Sequence, residues 1–181
     1  MPDIIKKALM MVNREVPTEK LIKKGLKVGN NFNRQQGCFI DPSHCFLIEI
    51  GDNVTMSIRV TLMAHDAGTK KGLGYTRIGR IRIGNNVFLG ANSTVLPNVR
   101  IGDNAIIGAG SVVTRDIPAN CVAAGVPAKI LCSAEEYLAK NRALIGSSKT
   151  FDASYRMGGG LNEEKKAEML KATETGIAFI E

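Results

Sequence analysis

The sequence predicts an all-β solenoid, in which short strands stack as parallel coils, with short helices at both ends. The main observation is a repeat of six. From Ile83 to Pro118 the chain divides into IGNNVF, LGANST, VLPNVR, IGDNAI, IGAGSV and VTRDIP. The first place is always aliphatic (Ile83, Leu89, Val95, Ile101, Ile107, Val113), and glycine follows it at Gly84, Gly90, Gly102 and Gly108. The fifth place is small or aliphatic: Val87, Ser93, Val99, Ala105, Ser111, Ile117. A helix repeats its apolar residues every three to four places and a lone strand every two, so a strict six fits neither. It fits strand pieces joined by tight turns, each sending one aliphatic side chain inward, as in a parallel β-helix. Burying one such side chain stabilises by roughly 1.5–3 kcal/mol, whereas ordering each residue costs about 1–2 kcal/mol. No single six is stable alone, so the coils must stack.

In chain order, Asp3–Val16 spaces Ile4, Ile5, Ala8, Leu9 and Val12 as one helical face, and Pro17 ends it. Residues 1–27 therefore read as an N-terminal helical segment, packed on the end of the coil. From Val28 the sixes begin imperfectly as VGNNFN, RQQGCF, IDPSHC, with Arg34 at an aliphatic place. Phe46–Glu49 is short by two, and Ile50-Gly51-Asp52-Asn53-Val54 restores the pattern, with Met56 and Leu62 following. The interval from Ile50 to Ile83 is not a multiple of six, so part of it leaves the coil. Residues 64–80, with Gly68, Gly72, Gly74, Gly79, Lys70, Lys71, Arg77 and Arg80, read as a flexible, basic, extruded loop. The coil region spans 28–131. Ser133 resembles an N-cap for a helix through Ala143, 146–160 an irregular connection, and Asn162 a cap for a last helix before Gly176. The 132–181 extension is thus helical, and helices at coil ends cover unpaired backbone edges.

With 181 residues, 23% charged and 44% hydrophobic, the chain is an ordinary globular domain. It has no apolar run near 18 residues and no leader pattern, so membrane insertion is not expected and a cytoplasmic setting is. Cys38, Cys45, Cys121 and Cys132 lack metal-ligand spacing and read as free thiols; no metal is expected. The net charge of +7 suits an anionic partner. Aromatics at 5% and no tryptophan argue against nucleic acid, which favours an anionic cofactor instead. The repeat glycines are turn residues and form no Walker loop.

The hexads, followed by Arg115-Asp116-Ile117-Pro118 and Ala124-Gly125-Val126-Pro127-Ala128-Lys129, resemble the hexapeptide-repeat acyltransferases, especially the sugar and polysaccharide O-acetyltransferases such as those of maltose and galactosides. The resemblance covers about Val28 to Leu131. It implies a left-handed β-helix of three hexads per triangular coil, assembled as a homotrimer with each active site between two rods. Acetyl-CoA would be the donor, and the acceptor a hydroxyl on a small molecule or glycan. His65, at the root of the extruded loop, is similar to the family's catalytic base, and imidazole is a base at neutral pH. Asp66 or a backbone carbonyl would orient it. The resemblance gives Ala91 and Ala109 the pantetheine groove, with Thr114, Arg115 and Lys129 nearer the nucleotide phosphates and Phe88 as an aromatic beside the cofactor. In an 18-residue coil Ala91, Ala109 and Pro127 would stack along one edge. Asp41 and Asn33 occupy the region of acceptor contacts; Asp41 is favoured, as a carboxylate that accepts from sugar hydroxyls. His44, at a fifth place, reads as structural. No Ser or Cys shows a nucleophile motif, which favours direct transfer over an acyl-enzyme.

Other functions weigh against these residues. A xenobiotic acetyltransferase is the runner-up, and a non-catalytic trimeric scaffold would leave His65 and its loop without a role. Carbonic anhydrases of this repeat need three zinc-bound histidines, and the chain has two histidines. Serine acetyltransferases share the repeat but carry a large helical domain where only about 27 residues precede this coil.

Overall fold

The computed structural model describes residues 15–181, so the expected helix Asp3–Val16 lies outside them except for its last two residues. The chain divides into two compact units, one ending at Ala134 and the other Glu135–Glu181. In the first, a short helix α1 (Thr18–Ile22) precedes strands β1 (Lys27–Val28), β2 (Asn33–Arg34) and β3 (Phe39–Ile40). Next come β4 (Ile48–Ile50), β5 (Thr55–Met56) and β6 (Thr61–Leu62), then a hairpin of β7 (His65–Asp66), a helical turn α2 (Lys70–Leu73) and β8 (Arg77–Ile78). The coil resumes with β9 (Ile81–Ile83), β10 (Phe88–Leu89), β11 (Thr94–Val95), β12 (Val99–Ile101), β13 (Ile106–Ile107) and β14 (Val112–Val113). It ends with β15 (Cys121–Ala124) and β16 (Lys129–Ser133).

Three parallel sheets take these strands in rotation. The first is β1-β4-β9-β12, the second β2-β5-β10-β13-β15 with β16 antiparallel at its edge, and the third β3-β6-β11-β14. Such a rotation is a three-sided coil. The inward columns are the aliphatic first places: Ile50, Ile83 and Ile101; Met56, Leu89 and Ile107; Ile40, Leu62, Val95 and Val113, all buried.

The coils differ in length, and the difference has one location. Successive coils repeat after 22, 33, 18 and 16 residues. Steps from first sheet to second and from second to third are six residues throughout, as from Val28 to Arg34 to Ile40 or Ile101 to Ile107 to Val113. Every surplus or deficit therefore falls at the corner where the third sheet turns back to the first. The first surplus is Asp41–Leu47, the second the β7–β8 hairpin. The deficit seats Ile117 on Ile101, in the first-place column and not at the expected fifth place. Residues 64–80 are accordingly a built hairpin with a helical tip, where a flexible loop was expected.

The first-to-second corner is regular because of asparagine. Asn31, Asn53, Asn86, Asn104 and Asn120 all lie in the left-handed region, with φ between 54° and 57°. Asparagine tolerates that backbone better than most residues. Each of the first four passes its side-chain amide N–H to the Oδ1 of the next at 2.8–3.0 Å. Beside this ladder Gly51 has no room for a Cβ, which would lie 2.6 Å from Asn85 Oδ1 and 2.7 Å from Gly84 O.

Arg34, which interrupts the aliphatic pattern, closes the first coil. It pairs with Met56 in register, and its guanidinium donates to Val16 O at 2.8 Å and Cys38 O at 2.5 Å, beside Glu15 at 3.8 Å. Leu21 of α1 is fully buried in the same core.

In the second unit α3 (Ala134–Ser147, beginning one residue before the division) precedes β17 (Thr150–Phe151), parallel to β18 (Phe179–Ile180). β17 sits where irregular chain was expected. Between them α4 (Glu163–Ala172) is capped by Asn162, whose Oδ1 accepts from Lys165 N at 2.9 Å. Tyr155 stacks on buried Phe151 and donates to Glu168 at 2.5 Å.

Candidate active site

Both enlargements of the third-to-first corner deliver one polar side chain to the same place. In the first, Asp41 Oδ1 accepts from the backbone N–H of Ser43 (3.0 Å) and of His44 (3.2 Å), folding a tight turn that runs into a 3₁₀ segment Cys45–Leu47. Buried Cys45 and Ile48 anchor the return to β4. In the second, buried Ala64 leads into β7, and Gly79 N donating to Ala64 O at 3.0 Å closes the hairpin root. His65 thereby stands over Asp41, with Nδ1 2.5 Å from Asp41 Oδ2.

Asp41 is fully buried. Burial pushes its carboxyl up, but the bonds from His65 and from the Ser43 and His44 amides outweigh it and hold the group below its ordinary range. An ionised carboxylate only accepts, so His65 Nδ1 carries the proton in that contact, and in a neutral ring the lone pair is on Nε2. The His65 side chain is 31% exposed. His44 completes the group. Its ring centroid is 4.9 Å from that of His65, and its Nδ1 is 3.5 Å from Asp41 Oδ2, buried and without a hydrogen bond.

Three sequence expectations change here. Asp41 is buried beneath His65 and does not present itself to an acceptor. Asp66 does not orient His65; it accepts from Gly68 N at 2.8 Å and faces Arg77 at 3.7 Å. His44 is not a core residue, because the surplus residues at this corner lift it out of the repeat and turn it beside His65. A register irregularity at 46–49 was visible, but its product, a turn bringing residue 44 beside residue 65, required the pairing of coils.

The other expected residues lie elsewhere on the coil. Ala91 and Ala109 occupy the second-to-third corner, one coil apart, with Gly110 N donating to Ala91 O at 2.8 Å. Pro127 does not continue that stack. The last coil is short, so Ala124 follows Gly108 and Gly125 O meets Val112 N. Phe88 is exposed on the outer face of the second sheet, where Asn33 also lies, on the neighbouring coil but one. Thr114 and Arg115 are exposed at the third-to-first corner, and Lys129 is exposed on β16. Within one chain, then, His65 and the alanine edge sit at different corners. A concavity of about 780 Å³ on the first sheet, lined by Glu49, Arg82, Arg100 and Asp116 among others, contains none of the expected residues. No helix among the described residues is long and apolar enough to cross a membrane.

Comparison with known proteins agrees with this architecture. The bacterial transferase hexapeptide family (six repeats) matches residues 80–115. Protein CapG of Staphylococcus aureus is 43% identical over 139 residues, 73% of this chain and 80% of CapG. Galactoside O-acetyltransferase of Escherichia coli is 46% identical over 91 residues, 48% of this chain and 44% of that protein. Among solved structures, a maltose O-acetyltransferase of Clostridium difficile is 40% identical with a TM-score of 0.52, covering 59% of this chain and 57% of that one. A hexapeptide-repeat acetyltransferase of Vibrio cholerae, solved with acetyl coenzyme A, is 26% identical with a TM-score of 0.55, covering 61% of each chain. The chain therefore spans less than two thirds of these last three proteins and most of CapG. On the extent of the CapG match and the hexapeptide family's own match to the coil, the chain belongs to the bacterial hexapeptide-repeat transferases.

Proposed function

We propose that this protein is an acetyl-CoA-dependent O-acetyltransferase that acetylates a hydroxyl of a sugar or polysaccharide precursor, with His65 as general base. The observation that carries it is the Asp41–His65 pair, in which the imidazole meets the carboxylate through Nδ1 and leaves Nε2 outside that contact. The named activities of the galactoside, maltose and Vibrio relatives support the donor and the sugar hydroxyl. In the reaction Nε2 takes the hydroxyl proton as the oxygen attacks the thioester carbonyl. The C–S bond then breaks, and the thiolate of CoA leaves with the proton from His65. Orientation of donor and acceptor supplies much of the rate.

The coil is taken as left-handed and the assembly as a homotrimer. His65 and the Ala91–Ala109 edge occupy different corners of one chain, so a site using both needs two chains, and closed cyclic symmetry supplies that contact without fibres. Ala91, Ala109 and Phe88 would then line the pantetheine groove of one chain against His65 of the next, with Thr114, Arg115 and Lys129 toward the phosphates. Asn33, in the same sheet column as Phe88, would contact the acceptor.

Consumption of acetyl-CoA with matched thiol release, measured against a panel of simple glycosides, tests the reading. One glycoside class should support turnover with intersecting initial-rate plots, as for a ternary complex. Parallel plots or an isolable acetyl-enzyme would overturn the direct route, and no turnover with any glycoside would overturn the acceptor class.

A further inference from the structure

We propose that Asp41, His44 and His65 form a binding site for a first-row divalent cation of the zinc type, and that occupancy switches off the His65 base. Among the described residues this is the one group of three or more His, Cys, Asp or Glu side chains whose ligand atoms gather within 4.8 Å. Two imidazoles and a carboxylate suit zinc, cobalt and nickel and not the oxygen-preferring magnesium or calcium.

The geometry is close to a three-ligand centre with an open fourth position. Zinc bonds of about 2.0–2.2 Å in a tetrahedron set ligand atoms a little over 3 Å apart. Asp41 Oδ2 and His44 Nδ1 are 3.5 Å apart, and opening the 2.5 Å contact from His65 Nδ1 requires only a small side-chain rotation. Asp41 Oδ1 remains held by the Ser43 and His44 amides, the outer-shell support that fixes a ligand carboxylate. His44 Nδ1 is a buried nitrogen with no hydrogen-bond partner, facing the carboxylate oxygen that the metal would share. Both histidines are about one third exposed, so water can fill the fourth position.

The consequence for activity rests on His65 being the base. A neutral imidazole has one lone pair and one N–H. If the metal takes the Nδ1 lone pair, the proton must sit on Nε2, which then donates where it had accepted. No charge or covalent bond of the substrate is involved; the base is lost by a change of tautomer.

The test uses the untagged full chain, whose only two histidines are the proposed ligands. Calorimetry with zinc chloride should give one ion per chain, and cobalt(II) should give visible d–d bands without a sulfur charge-transfer band. His44→Gln and His65→Gln, each checked for an unchanged melting transition, should weaken binding by about tenfold or more. No saturable binding, a thiolate spectrum, or undiminished affinity in both variants would overturn the site. This arm needs no acceptor and stands apart from acetyl transfer. In the second arm zinc should suppress acetyl-CoA turnover reversibly, with EDTA restoring it; binding without suppression would overturn the tautomer switch while leaving the site and the transferase intact.

Discussion

At the contact of His65 with Asp41 on the neighbouring coil, a carboxylate that can only accept holds a proton on His65 Nδ1. Removing the imidazole tests the base directly: His65→Ala should lower kcat by about 10²–10⁴-fold while CoA affinity is kept. Calorimetric CoA binding beside steady-state rates would check both halves, and near-normal turnover would overturn the role. Asp41→Asn is the finer probe. An amide Oδ1 can still accept from the Ser43 and His44 amides, so the turn should survive. Its NH₂ group now faces His65 Nδ1, which favours the opposite tautomer. We expect a fall in kcat of about 10²-fold or more at unchanged CoA affinity, with a circular dichroism spectrum like the parent's. A variant that kept its rate would leave Asp41 a turn residue only.

At the scale of the coil, the asparagine ladder and the glycine beside it should respond differently to substitution. Asn86→Ala loses two amide bonds of 3.0 Å and places alanine at φ 55°; it should cost about 1–3 kcal/mol in a denaturant titration. Asn86→Gly relieves the backbone but not the lost bonds and should cost less. Gly51→Ala forces a methyl against the next coil and should cost about 1–3 kcal/mol. Equal losses for Asn86→Ala and Asn86→Gly would show that the backbone conformation contributes nothing. Much of this level was legible from sequence: the inward columns are the aliphatic first places, since period alone fixes which side chains face in. The ladder was not, because an asparagine in a turn looks like any turn asparagine until its neighbour is known. Arg34 broke the pattern visibly, but its partners Val16, Cys38 and Glu15 are long-range or out of phase with the six. The place of His65 at the root of the hairpin was legible. The contacts of Asp41 and His44 with His65 were not legible, because both depend on how far a four-residue surplus turns the chain.

For the whole molecule, the proposed use of both His65 and the alanine edge, which sit at different corners of one chain, would make assembly part of the chemistry. The hairpin carries exposed Leu73, Tyr75 and Ile78, at 69%, 79% and 58% exposure, and is the surface a neighbouring copy would cover. Tyr75→Lys with Ile78→Lys should lower the sedimenting mass and abolish turnover together; an active monomer would sink the trimer and the shared site. The confinement of every length change to one corner has a further consequence, for tolerance. Two edges of the prism behave as fixed rulers and the third as the editable margin, where chain can be added or removed without moving any inward side chain out of its column. A four-residue Gly-Ser insert between Thr114 and Arg115 should therefore shift stability by no more than about 1 kcal/mol, since lengthening a loop costs little. The same insert between Asn85 and Asn86 should collapse the coil, because it throws the ladder and all following columns out of step.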